Sequence, residues 1–295
     1  MRVFSSIACS ITLGLAACAA NEPPMEVVHE LPKSLPIDTG DTVRQVLLEL
    51  PVGPTSASAP VIMIFHGGGG SAQRMQEQSQ YLARQFRARG FIVLYMNGTA
   101  RRQTENLRTW NADHCCAYAQ RENIDDVSYI DATLDRLSEF VAIDRNRVYL
   151  LGHSNGAMLA YRVAGDLSFT PAGIVTVSGA MFEDQPAVPE TTRVLTIHTR
   201  DDDTVSFDAS KRDRSQRFRT APNFSFPEVI DRLHQLKACD APIASAVSPG
   251  VLVSRADCAA DSQVIAISAE QGGHEWPKTI PGFDLDAAIL DFVLN

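Results

Sequence analysis

Val148 to Leu151 is a short apolar run that leads directly into Gly152-His153-Ser154-Asn155-Gly156, and Met158 to Ala164 then reads as helix. Few features constrain a chain more. A buried strand must turn sharply into a helix, and the two glycines permit a turn too strained for larger residues. The pattern is G-x-S-x-G in the strand–turn–helix setting that gives it meaning. Such a turn lifts the serine side chain clear of the backbone, and the helix N-terminus behind it favours developing negative charge. Ser154 is therefore the candidate nucleophile. A plain tight turn is the bland alternative for the bare pattern.

The rest of the chain repeats the same alternation. Val43 to Leu50 alternates loosely, as a half-exposed strand does. Val61 to Phe65, Phe91 to Met96, Ile174 to Val177, Val194 to Ile197 and Val264 to Ile267 are continuous apolar runs, the mark of buried strands. In Asp125 to Val141 the apolar residues Val127, Ile130, Leu134, Leu137 and Val141 recur at helical steps. Strands alternating with helices predict an α/β fold, a mostly parallel sheet covered by helices on both faces. There is no internal repeat, and residues 42–295 read as one domain. Asp208 to Gln263 separates the last two strands, holds a helix near Pro227 to Lys237, and is a candidate cover over the site.

A serine needs a base, and the base needs an orienting acid. In this arrangement the chain order is Ser, acid, His. The run 194–197 ends in His198-Thr199-Arg200-Asp201-Asp202-Asp203, which supplies an acid. After 264–267 comes Gly272-Gly273-His274-Glu275-Trp276-Pro277. His274 alone among seven histidines sits in a glycine-flanked loop after the final strand, so it is the candidate base. His198, at a strand end, is expected to satisfy a buried hydrogen bond, and Glu275 to be a solvated neighbour. His66-Gly67-Gly68-Gly69-Gly70 follows the run 61–65. Backbone N–H groups in such a turn can approach an oxyanion. Gly68 is the candidate first donor and Asn155, after the serine, the second. A Walker loop needs a lysine that is missing here, and the dinucleotide fingerprint is not met.

These pieces together resemble the secreted esterases of the polyhydroxybutyrate-depolymerase and feruloyl/acetylxylan esterase type. The resemblance rests on HGGGGS at 66–71, TWNADHCCAYA at 109–119, DDVSYIDATLDRL at 125–137, RVYLLGHSNGAMLAYRVA at 147–164 and GGHEWP at 272–277. It implies the α/β-hydrolase fold and hydrolysis of carboxylic esters without a metal or organic cofactor. Polyhydroxyalkanoate oligomers, feruloyl or acetyl esters of plant polysaccharide, and small aryl esters all suit it. It also places the acid four residues after His198, at Asp202. Asp201 and Asp203 would then be solvated, or Asp203 would pair with Arg200. The loop departs from the family's H-G-T-x-D-x-x-V-P by lacking the Gly and the Pro. Trp110 and Trp276, both in the resembling segments, are candidate pocket walls or simple packing.

Six cysteines are present. Without Cys9 and Cys18, the four left allow three pairings. Cys239 with Cys258 is the expected bridge, leaving Cys115 and Cys116 joined to each other or reduced. No metal site is expected, because adjacent cysteines lack ligand spacing.

The N-terminus reads as an address. Met1-Arg2, an uncharged apolar stretch to Ala17 and Leu15-Ala16-Ala17-Cys18 form a signal peptide ending in a lipobox, with Cys18 as the lipidated residue. Ordinary cleavage near Ala20 is the alternative. Residues 18–41, with four prolines, read as a tether. The chain is expected to be exported, to the cell envelope or beyond, and monomeric, with membrane contact only through its lipid. The net charge of −9 argues against nucleic-acid binding. A serine peptidase of the same fold, or a catalytically silent surface binding protein, are the other function classes.

Overall fold

The computed structural model describes residues 33–40, 42–52, 58–102, 106–209 and 216–295. Every apolar run named above is a strand. The strands are β1 (Ser34–Asp38), β2 (Val43–Glu49), β3 (Ala59–Phe65), β4 (Ile92–Met96), β5 (Ile143–His153), β6 (Gly173–Val177), β7 (Arg193–Thr199), β8 (Ile243–Ser248), β9 (Val251–Cys258) and β10 (Ser262–Ala269). The helices are α1 (Ala72–Gln78), α2 (Gln80–Arg87), α3 (Ala117–Arg121), α4 (Asp126–Ser138), α5 (Asn155–Val163), α6 (Phe226–Leu236) and α7 (Leu285–Leu294). They form a ten-stranded sheet in the order β1-β2-β4-β3-β5-β6-β7-β10-β9-β8. The six strands from β4 to β10 run parallel, and the two at each edge pair antiparallel.

Side chains of a strand alternate between faces, and the parallel strands spend both faces on apolar packing. Ile62 and Ile64, Leu151, Val175 and Val177, and Ile265 and Ile267 meet Met75, Leu82, Phe86, Ile289 and Val293 of α1, α2 and α7. On the opposite face the Tyr161 hydroxyl of α5 bonds to the Thr176 and Thr196 hydroxyls, both 2.7 Å away. Phe226 of α6 packs with Ala266 there. Full burial of β3 and β4 explains why they read as unbroken apolar runs.

Two expectations are corrected. The domain begins at β1, not at residue 42, because Ser34 to Asp38 pair with β2 and bury Leu35 and Ile37. Pro36 sits in that strand at no cost, since an edge strand has a side with no ladder to donate to. The signal segment 1–17, Cys18 and the first part of the tether lie outside the described residues. Nor is Asp208 to Gln263 a cover as a whole. Its helix α6 packs under β10 and its hairpin β8–β9 extends the sheet edge; among its described residues, only Arg217 and Phe218 of the 3-10 turn Gln216–Phe218 reach the pocket wall.

Candidate active site

Ser154 stands between β5 and α5 with φ +55° and ψ −121°. This is a conformation that side chains rarely adopt. The neighbouring glycines show what compels it. A Cβ on Gly152 would lie 2.2 Å from the Gly156 carbonyl oxygen, and one on Gly156 would lie 2.5 Å from that of Phe65. The turn is thus wedged against its own helix and against β3. The Ser154 amide donates to Val177 O at 2.8 Å, which fixes the elbow to β6.

His274 arrives from the loop after β10. Its Nε2 lies 2.9 Å from Ser154 Oγ, and its Nδ1 lies 2.8 Å and 3.1 Å from the two Asp202 carboxylate oxygens. A carboxylate only accepts, so Nδ1 carries the proton and Nε2 is free to accept from the serine. Asp202 Oδ1 also accepts the amides of Thr204 and Val205, each at 2.9 Å. Burial would raise this carboxyl, but the His274 bond, the nearby imidazoles and the Val205 amide together hold it below the usual range. Asp202 is therefore a charged acceptor at neutral pH. The loop lacks the Gly and the Pro of the family pattern, and two backbone amides fix its carboxylate.

The loop carrying His274 is held by groups that the sequence reading left out. Asp201 is exposed, as expected, but its carboxylate also accepts the amides of Gly272 at 3.1 Å and Gly273 at 2.9 Å. The Lys278 ammonium is buried and donates to Gly273 O; Thr199 Oγ1 donates to that same oxygen at 2.8 Å. Gly272 and Gly273 sit at φ +149° and +59°. His153 is buried beneath the base, and its Nε2 donates to the His274 carbonyl at 2.6 Å. Burial, with the His274 ring beside it, pushes the His153 imidazole down to about 3, so it is neutral. Asp201 was legible only as a neighbour of Asp202. Nothing local marked Lys278.

His198 behaves as expected of a satisfied core histidine, donating to Val205 O at 2.8 Å. Arg200 pairs with Glu270 at 3.0 Å, while Asp203 accepts from the Thr204 hydroxyl. Among the tryptophans the expectation divides. Trp276 lines the cavity above Ser154, and its indole donates to Ser79 Oγ at 2.9 Å. Trp110 is not a pocket wall. It is wholly buried, its Nε1 donates to His66 O at 2.9 Å, and its ring packs against Phe65, His66 and Tyr129.

The Asn155 side chain binds the Trp110 backbone in both directions, accepting from N at 2.8 Å and donating to O at 3.2 Å. That locks segment 109–111 to the elbow. In the glycine turn, the amides of Gly69 and Gly70 are already donated to Arg108 O and Gly67 O. Gly68 faces Asn155 across the cavity floor, where an added Cβ would lie 3.5 Å from Asn155 Cβ. The cavity measures about 620 Å³, and its wall includes Gly68, Ser154, Met158, Phe218 and Trp276. Cys116 also lines it and is joined to Cys115; Cys239 and Cys258 are joined, S–S 2.00 Å, as expected. Among the described residues no cluster of three or more metal-ligating side chains occurs.

A parallel sheet, a serine on a strained strand-to-helix turn, and acid and histidine following in that order define an α/β-hydrolase. The chain belongs to the phospholipase/carboxylesterase family, whose model matches residues 52–235. It is 25% identical to the putative esterase NocK of Nocardia uniformis subsp. tsuyamanensis, over 92% of this chain and 89% of that one. The acetyl xylan esterase from Aspergillus awamori has a similar fold, with a TM-score of 0.59, 15% identity, and coverage of 85% of this chain and 93% of that one. So has a carboxylesterase from Mesorhizobium loti, with a TM-score of 0.54, 15% identity, and coverage of 89% and 99%.

Proposed function

We propose that this protein is an exported serine esterase that cleaves carboxylic esters through an acyl-enzyme. The observation that carries this reading is the hydrogen-bonded chain Ser154–His274–Asp202, with contacts of 2.9 Å and 2.8 Å, on the floor of a cavity. Ser154 Oγ attacks the ester carbonyl while His274 Nε2 takes its proton. The imidazolium then protonates the leaving alcohol, and a water deprotonated by the same nitrogen releases the acid. Asp202 holds the tautomer and stabilises the imidazolium. The amides of Gly68 and Asn155 stabilise the tetrahedral oxyanion. Protein groups and water supply all of this chemistry.

The resembling segments support hydroxyalkanoate oligomers, feruloyl or acetyl esters of polysaccharide, and aryl esters as substrates. Met1 to Cys18 supports export with a diacylglycerol on Cys18, and hence a place in the cell envelope. The test is direct. A fluorophosphonate should label the wild type and not Ser154→Ala, and the variant should lose nearly all hydrolysis of nitrophenyl butyrate. Labelling that survives the substitution would remove Ser154 from the role of nucleophile. For the anchor, Cys18→Ser should move the protein out of the membrane fraction; a wild type already soluble would refute lipidation.

A further inference from the structure

The cavity over Ser154 is mostly apolar, yet two guanidinium groups stand on its wall. Arg74 comes from α1, and Arg217 from the 3-10 turn Gln216–Phe218. Both are exposed. Some arginines of this acidic chain pair with carboxylates, as Arg44 does with Asp126, Arg87 with Glu49, and Arg162 with Asp113 and Asp166. Arg74 and Arg217 have no carboxylate within ion-pair distance among the described residues. Arg217 is instead held over the Phe218 ring at 4.5 Å, itself a cavity residue. The sequence around it is locally basic against the overall charge: Lys211, Arg212, Arg214, Arg217 and Arg219 accompany a single acid, Asp213, over residues 211–219.

An unpaired guanidinium is a planar fork suited to a carboxylate. Low-dielectric walls beside it strengthen the attraction over its value in open water. Among the described residues Glu275 is the one carboxylate on the cavity wall, and it makes no ion pair with Arg74 or Arg217.

Resting on the esterase reading above, we propose that the preferred substrate is an ester bearing a free carboxylate, which Arg74 and Arg217 bind while Ser154 attacks the ester carbonyl. Among the substrate classes in play, a hydroxyacid oligomer ends in such a group, whereas an aryl acetate does not. A uronate on a decorated polysaccharide would offer the same chemistry.

The test compares matched pairs at low ionic strength. One pair is the mono-4-nitrophenyl ester of hexanedioic acid against 4-nitrophenyl hexanoate. The other is a hydroxybutyrate trimer with a free carboxylate against its carboxamide. Uronate-bearing and uronate-free acetylxylan form a third arm that separates the two sources. Surface ion pairs of this kind are each worth roughly two- to fivefold. The wild type should therefore favour the anionic member of at least one pair by about tenfold in kcat/KM, mostly through KM. In Arg74→Gln/Arg217→Gln that ratio should fall to near one, and added salt should lower it in the wild type as the charges are screened. A wild-type ratio near one in all three arms overturns the proposal, as does a double variant that keeps the preference. If the wild type hydrolyses neither member of any pair, it is the esterase reading that fails.

Discussion

Asp201 and Lys278 grip the same dipeptide from opposite sides. The carboxylate takes the two amides of Gly272 and Gly273, and the ammonium takes the Gly273 carbonyl, with that of Gly272 3.5 Å away. His274 is the next residue. The pair thus sets where the imidazole stands without touching it, and the Asp201 charge offsets part of the burial of Lys278.

The three consecutive aspartates should separate by role. Asp202→Asn removes the acceptor that fixes the tautomer and should cost up to about 10⁴ in kcat. Asp201→Asn keeps one acceptor for two amides, so the loop loosens; kcat should fall about tenfold with KM nearly constant. Asp203 is exposed, and Asp203→Asn should stay within about threefold. Steady-state kinetics on one nitrophenyl ester decides the order. If Asp201→Asn proves more damaging than Asp202→Asn, the assignment of the orienting acid is wrong.

Gly156 of the elbow and Gly68 of the glycine turn should tolerate alanine very unequally. Gly156→Ala drives a Cβ to 2.5 Å from Phe65 O and 2.6 Å from His66 O, both backbone atoms that cannot swing away. Overpacking of that kind costs at least about 1–3 kcal/mol. Gly68→Ala meets only ordinary contacts, the nearest at 3.5 Å. Thermal denaturation should show a lowered Tm for the first and a near-native Tm for the second. Equal Tm values would contradict the close approach of the elbow to β3.

Stability should decline on mild acidification. Burial pushes His66 and His198 down to about 4 and His153 to about 3, from an ordinary value of 6.5. The folded pKa lies below the unfolded one, so below pH 6.5 the unfolded chain takes up protons that the folded chain does not. The contribution is complete above pH 6.5 and is lost as pH falls towards 4, by up to about 1.4 kcal/mol per pH unit for each ring. Asp202, also held low, adds in the same direction only nearer its own range. Denaturant midpoints at pH 7.5, 6.0 and 5.0 should fall in that order. A flat profile would mean that the three imidazoles are not buried as neutral groups.

The two tryptophans should give opposite phenotypes. Trp110→Phe leaves the His66 carbonyl without its indole donor and should cost about 1–3 kcal/mol of stability. Its relative rates on different esters should hold. Trp276→Phe, on the cavity wall, should shift KM between acyl chain lengths. Tm measurements and a chain-length series of nitrophenyl esters distinguish the two. A changed ester preference in Trp110→Phe would return that residue to the pocket.

Much of the site was legible because its determinants are local. A strand buried on both faces must be apolar throughout, so β3, β4 and β7 announced themselves. A turn that presses backbone on backbone accepts only glycine, so Gly152 and Gly156 marked Ser154. The order of elements then left one acid loop and one glycine-flanked histidine, although Asp202 was separated from its neighbours by resemblance and not by chemistry.

What the sequence by itself determined, then, is the parallel core of the sheet and the positions on it where Ser154 and His274 stand, with the acid confined to three consecutive aspartates, since apolar runs and glycines act over a few residues. The tertiary structure decided the rest. β1 was concealed by Pro36, which is harmless only because that strand lies at an edge. β8 carries almost no amphipathic signal, with Ile243 75% exposed, and becomes a strand by pairing with β9. Whether Asp201 accepts two amides, whether Lys278 is buried, and whether Trp110 lines a pocket or fills a core all depend on contacts between segments distant in sequence. Spacing along the chain does not encode those distances, because they exist only once the sheet has assembled and brought the segments together.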